Sequence, residues 1–368
     1  MNLDGLPLRS VSDRLEQFRI RLGSAGLEAY WLVKPANVRY LSGFTGDEST
    51  LLVTRDASIL VTDSRFEEQA QEEAEVDEIV VRHKQMAKTV GMVCRGQGSP
   101  KVGFTAGNVT YADGRALASE LPRRRVLPST KGLAERMRQR KGRDEVETIV
   151  RATRLAEAAF REFVDELAPG QSEKWLSGRL EWGMKRRGAD GKAFDTICAV
   201  GERASLPHAI CTDREMGPES PLLVDWGARL KGYHSDLTRV VGTGTMPRLI
   251  RDIAEVVLRA QKAAFGEIGP GVACSDVDHA AREVIVQAGY GPFFGHSLGH
   301  GVGLEVHEAP RLSAGVEQVL LPGMVVTVEP GIYLPGRGGV RIEDLLVITT
   351  TGYERLSSAE PLIGEAWQ

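Results

Sequence analysis

The chain has 368 residues, 42% hydrophobic and 26% charged, with a formal net charge of −4 and a pI near 6.1. That balance fits a soluble globular protein of two or three domains, and it excludes a strongly basic surface built for nucleic acid or anionic membrane. No apolar run reaches the length of a membrane span, and Asp4, Arg9, Asp13, Arg14 and Glu16 interrupt any secretory signal, so a soluble cytoplasmic protein is expected.

Ser12 to about Leu22 reads as an amphipathic helix, capped by Ser12, with Leu15, Phe18 and Leu22 on one face and Gly23 and Gly26 at its end. Short strand-like runs follow at Ala29–Val33, Leu51–Thr54, Ser58–Thr62, Glu78–Val81 and Lys101–Phe104. Between and after them lie helical stretches at Arg65–Glu75 and Tyr111–Glu120. This alternation predicts a small α/β domain over residues 1–130, ending in the polar segment Pro128–Gly132. The second domain, 131–368, opens with a linker and long helical section to about residue 167. Helices are also predicted at Ser172–Arg187, Pro247–Phe265 and Cys274–Ala288, among strand-rich segments. The Arg-rich spots Arg123–Arg125 and Arg136–Arg143 read as solvated surface. Cys94, Cys198, Cys211 and Cys274 form no CxxC pair and read as reduced, buried thiols.

The chemistry gathers in the second domain. Phe294–Glu308 carries His296, His300 and His307 among glycines, where something can approach the backbone closely. Leu222–Gly242 reads as a hairpin if Lys231-Gly232 is a two-residue turn. Leu230 then faces Tyr233, Asp225 faces Thr238, and Asp236 becomes the diagonal neighbour of Asp225, with backbones about 7–8 Å apart. The alternative is a solvated hairpin face. Met324–Glu329 is a strand ended by Pro330, and Val340–Ile348 a strand with Arg341 and Glu343 on one face. Four carboxylates formally balance two divalent cations. Oxygen donors with one imidazole favour Mn²⁺, with Co²⁺, Zn²⁺ or Fe²⁺ as other candidates. Two such ions about 3.5–4 Å apart can activate a shared water, and no GxSxG nucleophile motif competes with that reading.

The ordered motifs VDWGARLKGYHSDLTR, GHSLGHGVGLEVHE, VVTVEPGIY and GGVRIEDLLVIT resemble the pita-bread (creatinase/methionine aminopeptidase-like, M24) metallopeptidases from about Arg143 onward. NVRYLSGFTGDESTLLVT and ILVTDSRFEEQA resemble the N-terminal domain of proline-specific members. The resemblance implies a small creatinase-like α/β domain followed by a pita-bread catalytic domain. It implies Asp225, Asp236, His300, Glu329 and Glu343 as ligands of two metal ions per subunit, with Glu329 also the general base. By the same resemblance, His208 and His307 contact substrate near the scissile bond, His296 lines a proline pocket, and Arg341 supports the metal site. Trp226 stands where the family often has a smaller residue or Phe. With Phe293 and Phe294 it is a candidate for the apolar pocket wall, although Trp226 and Tyr233 also read as core. His234 stands at a variable position. The implied activity is that of an Xaa-Pro aminopeptidase acting on peptides with proline second, as a homodimer without nucleic-acid or membrane partners. An Xaa-Pro dipeptidase shares the catalytic set and is the alternative. A non-catalytic peptide-binding module on this fold would be expected to lose ligands.

Overall fold

The computed structural model of the chain describes residues 3, 5–98, 100–122, 125–129 and 132–361. Arg123, Arg124 and the expected domain division at 130/131 lie outside them. The chain forms two compact units, Leu8–Arg138 and Gln139–Gln368, with Met1–Pro7 belonging to the second.

The first unit is built on a six-stranded sheet. Its order is Glu78–Val81, Ser58–Thr62, Thr50–Thr54, Ala29–Leu32, Val102–Thr105 and Val126–Ser129. Parallel and antiparallel pairs mix, as expected where helices connect some strands and hairpins others. The first helix, Val11–Ser24, is capped by Ser10 rather than Ser12. Ser10 and Asp13 exchange side-chain and backbone hydrogen bonds in a capping box. Two helices escaped the periodicity, Pro35–Ser42 and Met86–Gly96. The former carries its own punctuation, with Pro35 at its start and Gly43 at φ 76° closing it. Arg138, expected on the surface, is only 2% exposed, and its guanidinium donates to Asn37 Oδ1 at 2.6 Å.

Every strand pair in the second unit is antiparallel. The helix Arg143–Asp165 serves two cores. Val146, Ile149 and Val150 pack with Val302, Val325, Leu345 and Val347, whereas Ala156, Ala159, Phe160 and Phe163 pack with Trp226 and Leu237. Helices Arg248–Glu267 and Cys274–Gln287 cover a third core around Leu223, Val240, Val326 and Leu346.

The 222–242 hairpin has the register its turn dictates. Lys231 and Gly232 both take positive φ (48° and 74°), so Leu230 pairs with Tyr233 and Asp225 with Thr238. Alternation then turns Trp226 away from Asp225's face. It is fully buried, stacked on Phe160 with ring centroids 3.9 Å apart, and its indole N–H donates to Ala156 O at 3.1 Å. Trp226 is therefore core and not pocket wall. Phe294 is 3% exposed in the third core, and Phe293 packs half-buried against it; neither lines the cavity described below.

Val340–Ile348 is two strands rather than one. Gly338–Arg341 pairs with Gly331–Leu334, and Asp344–Ile348 pairs with Val325–Val328. Pro330 interrupts the partner ribbon, and the chain opposite it switches sheets at Ile342 and Glu343, where Glu343 bridges to Thr238.

The end of the described chain is tied down from within. The fully buried Arg239 donates to Glu343 O at 2.5 Å, Asp344 Oδ1 at 2.7 Å, Ala359 O at 2.7 Å and Glu360 O at 2.9 Å. Glu157 accepts from Ser358 N, from Ser358 Oγ at 2.7 Å and from Ala359 N at 2.7 Å.

Candidate active site

A cavity of about 810 Å³ opens in the second unit, and all nine residues singled out from the sequence line it: Asp225, Asp236, His300, Glu329, Glu343, His208, His296, His307 and Arg341. Close backbone packing sets their positions. Gly227 lies against the chain just before Asp236, and a Cβ there would stand 1.9 Å from Ser235 O. On either side of His300, a Cβ on Gly299 would stand 2.0 Å from Thr327 O, and one on Gly301 2.5 Å from Ala309 O. The glycines of the histidine-rich stretch thus admit neighbouring strands, which clamp His300 between them.

One potential ligand atom from each of Asp236, His300 and Glu343 lies within 4.8 Å of the others. His300 Nε2 is 3.3 Å from Glu329 Oε1 and 3.7 Å from Asp236 Oδ2. Its Nδ1 is 3.1 Å from Gly301 O; assigning the ring proton to that nitrogen leaves Nε2 facing the carboxylates. Thr327 Oγ1 donates to Glu329 Oε1 at 3.0 Å and accepts from His300 N at 3.0 Å, joining the two side chains from behind.

Arg341, 3% exposed, spans the floor. Nη2 donates to Asp225 Oδ2 at 2.7 Å, Nε to Thr238 Oγ1 at 3.0 Å, and Nη1 to Tyr333 OH at 2.9 Å. Thr238 Oγ1 in turn donates to Glu343 Oε2 at 2.7 Å. His296 Nε2 meets Tyr333 OH at 2.9 Å and its Nδ1 meets Ser297 O at 2.8 Å, so both ring nitrogens are engaged. His307 is exposed and stands edge-on to His300, ring centroids 4.3 Å apart. His208 is exposed on the loop after the helical turn Gly201–Ser205. His234 is buried instead, its N and Nδ1 both against Gly303 O at 2.9 and 3.1 Å; it shapes the loop leading to His307 without lining the cavity.

The electrostatics are those of crowded acids. Burial, then the charges of neighbouring carboxylates, push Asp236 and Glu343 well above the usual carboxylate range. Burial also raises Asp225, against the opposing charge of Arg341. For Glu329 burial is outweighed by His300, whose ring stands against the carboxylate, and its carboxyl is held low. His300 is the complement: burial disfavours its charged form, but Glu329 more than offsets this and raises it. Burial keeps His296 and His307 below the ordinary imidazole value and hence neutral near pH 7. Asp225 Oδ1 is buried with no hydrogen-bond partner. An orphaned carboxylate oxygen, three carboxyls forced upward and one imidazole nitrogen facing them make a donor set that fits divalent cations.

Thr238 and Tyr333 did not emerge as functional from the sequence, and neither did Arg311, which also lines the cavity. Thr238 was legible as Asp225's cross-strand partner. Tyr333 closes the motif VVTVEPGIY but was given no role there, and Arg311 lies outside the quoted motifs.

Residues 14–140 match the creatinase/prolidase N-terminal domain, and residues 147–350 match metallopeptidase family M24. The chain is 35% identical to an Xaa-Pro dipeptidase of Pyrococcus furiosus, over 95% of this chain and 99% of that protein. Its structure is similar to that of an Xaa-Pro dipeptidase from Bacillus anthracis, with a TM-score of 0.91 and 35% identity, covering 96% of this chain and 100% of the other. It is also similar to an X-Pro aminopeptidase from Thermotoga maritima, with a TM-score of 0.87 and 34% identity, covering 95% and 100%. The chain belongs to metallopeptidase family M24 and is an enzyme with a creatinase-type N-terminal domain and a C-terminal pita-bread domain.

Proposed function

We propose that this enzyme hydrolyses the bond between an N-terminal residue and a following proline, and that Ala-Pro-like dipeptides are its preferred substrates. The convergence of four carboxylates and the imidazole nitrogen that faces them on one cavity carries the hydrolytic part of this reading. Asp225, Asp236, His300, Glu329 and Glu343 would hold two divalent ions, with Mn²⁺ favoured by the donor set. Such ions supply a water of lowered pKa and polarise the scissile carbonyl. Glu329, held as a carboxylate by His300, accepts the proton of the attacking water. It then delivers that proton to the proline nitrogen, which has no N–H of its own and leaves as a secondary amine. His307, neutral and close to His300, and His208, in the same cavity lining, would donate to the developing oxyanion. Arg341 and Thr238 keep Asp225 and Glu343 in place.

Arg311 favours a dipeptide over the longer peptides of the aminopeptidase expectation. It lines the cavity, donates Nε to Ser297 Oγ at 3.2 Å, and has no carboxylate in ion-pair range among the described residues. Its charge reaches His307. A guanidinium so placed suits the free carboxylate of a dipeptide. The aminopeptidase reading is the second one, supported by the volume of the cavity and by the Thermotoga relative's name.

Metal-loaded wild type and Arg311→Met should be compared on Ala-Pro, Ala-Pro-Ala and Ala-Pro-Ala-Ala-Ala. Ala-Pro should be cleaved best, and losing the guanidinium should raise its KM about tenfold or more while tripeptide cleavage changes little. Preferential cleavage of the longer peptides, unaffected by Arg311→Met, would establish the aminopeptidase instead. Silence on all three with metal bound would overturn the function.

A further inference from the structure

The four cysteines are not alike. Cys94, Cys198 and Cys274 are fully buried, whereas Cys211 is partly exposed and lines the catalytic cavity, contrary to the expectation of four buried thiols. Cys211 also has a second cysteine beside it. Cys198 N donates to Cys211 Sγ at 3.3 Å, and that thiol donates to Thr196 O at 3.2 Å, with Cys198 O at 3.8 Å. Cys198 sits in the strand Ile197–Val200, opposite Val224 and one residue from the Ile197–Asp225 pair. Cys211 lies three residues after His208 on the loop at the cavity wall.

From this geometry we infer that Cys211 and Cys198 form a redox-active dithiol in the wall of the catalytic cavity, which reacts with peroxides and closes as a disulfide that shuts down turnover.

The two thiols are divided as such a pair requires. The Cys198 thiol, aided by the Cys198 N–H and the Ser177 hydroxyl, brings Cys211 down to about 6 despite its partial burial. Burial pushes Cys198 well up, Cys94 to about 12 and Cys274 to about 11. The charged groups facing the pair are few. Glu173 opposes ionisation, but its carboxylate accepts from Arg203 Nε, Val200 N and Thr212 N at 2.8–3.1 Å. Glu181 pairs with Lys192 at 3.2 Å on the same cavity wall. Once Cys211 gives up the proton it directs at Thr196 O, its thiolate stands beside a protonated Cys198.

In the first step the Cys211 thiolate attacks one peroxide oxygen. The O–O bond breaks, Cys211 becomes a sulfenic acid, and hydroxide (or alkoxide) leaves. In the second step the Cys198 sulfur attacks the Cys211 sulfur, the S–O bond breaks, and water leaves with the Cys198 proton. Two electrons pass from the dithiol to the peroxide. Drawing Cys211 onto the strand displaces the loop that carries His208, which accounts for the loss of turnover.

Metal-loaded enzyme is treated with hydrogen peroxide, with dimedone present in a parallel sample, then denatured, alkylated and mapped by mass spectrometry. A Cys198–Cys211 cross-linked peptide is expected, with Cys94 and Cys274 still alkylated, and native Cys211 should react about 100-fold or more faster than either. Activity should fall with cross-linking and return with dithiothreitol. Cys198→Ser should stop at the dimedone-trapped sulfenic acid on Cys211. Each variant is compared with its own untreated sample. Cys211 reacting no faster than Cys274, or cross-linking without loss of activity, would overturn the inference. So would equal reversible inactivation of Cys211→Ser. The thiol map needs no turnover, so its failure is distinguishable from failure of the peptidase reading.

Discussion

Replacing Thr238 by Val tests whether the carboxylates are held by the frame behind them. Thr238 is fully buried, and its hydroxyl performs two tasks: it accepts from Arg341 Nε at 3.0 Å and donates to Glu343 Oε2 at 2.7 Å. Valine has nearly the same shape but removes both, and the hydroxyl is what makes this swap non-conservative. Each lost bond involves a charged partner and is worth about 1.5–3 kcal/mol, with Arg341 Nε left buried and unpaired. Loss of a group that orients a metal ligand typically costs about 10–100-fold in metal affinity, or about 1.4–2.8 kcal/mol. The assay is calorimetric titration of metal-free protein with Mn²⁺, with circular dichroism to verify the fold and Thr238→Ser to restore the hydroxyl. Weakening of about 10–100-fold in Thr238→Val, largely recovered in Thr238→Ser, is expected. An affinity within about threefold of wild type, in a folded variant, would refute the reasoning.

Three further outcomes follow from the structure. Mn²⁺ binding near neutral pH should release protons, because Asp236 and Glu343 are pushed upward and must ionise to ligate; binding heats that do not vary with buffer ionisation enthalpy would contradict this. Trp226→Ala should destabilise the second unit by about 3–5 kcal/mol, since it empties the stack on Phe160 and leaves Ala156 O without its indole donor; a loss under about 1 kcal/mol by denaturant titration would return Trp226 to the surface. Asp77 accepts from Ser58 Oγ at 2.8 Å and Ser58 N at 2.7 Å, with Arg19 at 3.2 Å, which together hold its carboxyl below the ordinary 3.8. Its stabilisation is present above that value and lost as pH falls through the folded one. Asp77→Asn should therefore destabilise at pH 7, by about 1 kcal/mol or less given the carboxylate's exposure, and the gap should close in acid. A gap that widens in acid would reverse the sign of the argument.

Local rules made much of the fold readable. A two-residue turn with Gly232 fixes a hairpin register, and that register alone carries Asp225 opposite Thr238. The same alternation implied that Trp226 points away from Asp225; family comparison drew attention to its size, and the pleat decided its direction. What stayed hidden depends on where separate ribbons cross. Nothing in VRIEDLLVI marks the change of sheet at Ile342 and Glu343, because the cause is Pro330, on the partner ribbon. Arg311 reaches the cavity, and Tyr333 the ring of His296 behind it, from strands whose local pattern is ordinary, so only the assembled sheets bring them beside Ser297 and His296. The histidine-rich stretch was legible as special, but Gly299 and Gly301 answer to neighbouring carbonyls rather than to a ligand.

Arg239 holds Glu343 O with the same guanidinium that grips Ala359 and Glu360. Residues 359 and 360 therefore act as a tension member of the catalytic frame, although neither lines the cavity. Truncation after Ser358 would remove both acceptors and loosen the guanidinium that holds the backbone of a carboxylate facing the cavity. Residues 359 and 360 are thus as much a part of the catalytic frame as the strand edge that presents Glu343.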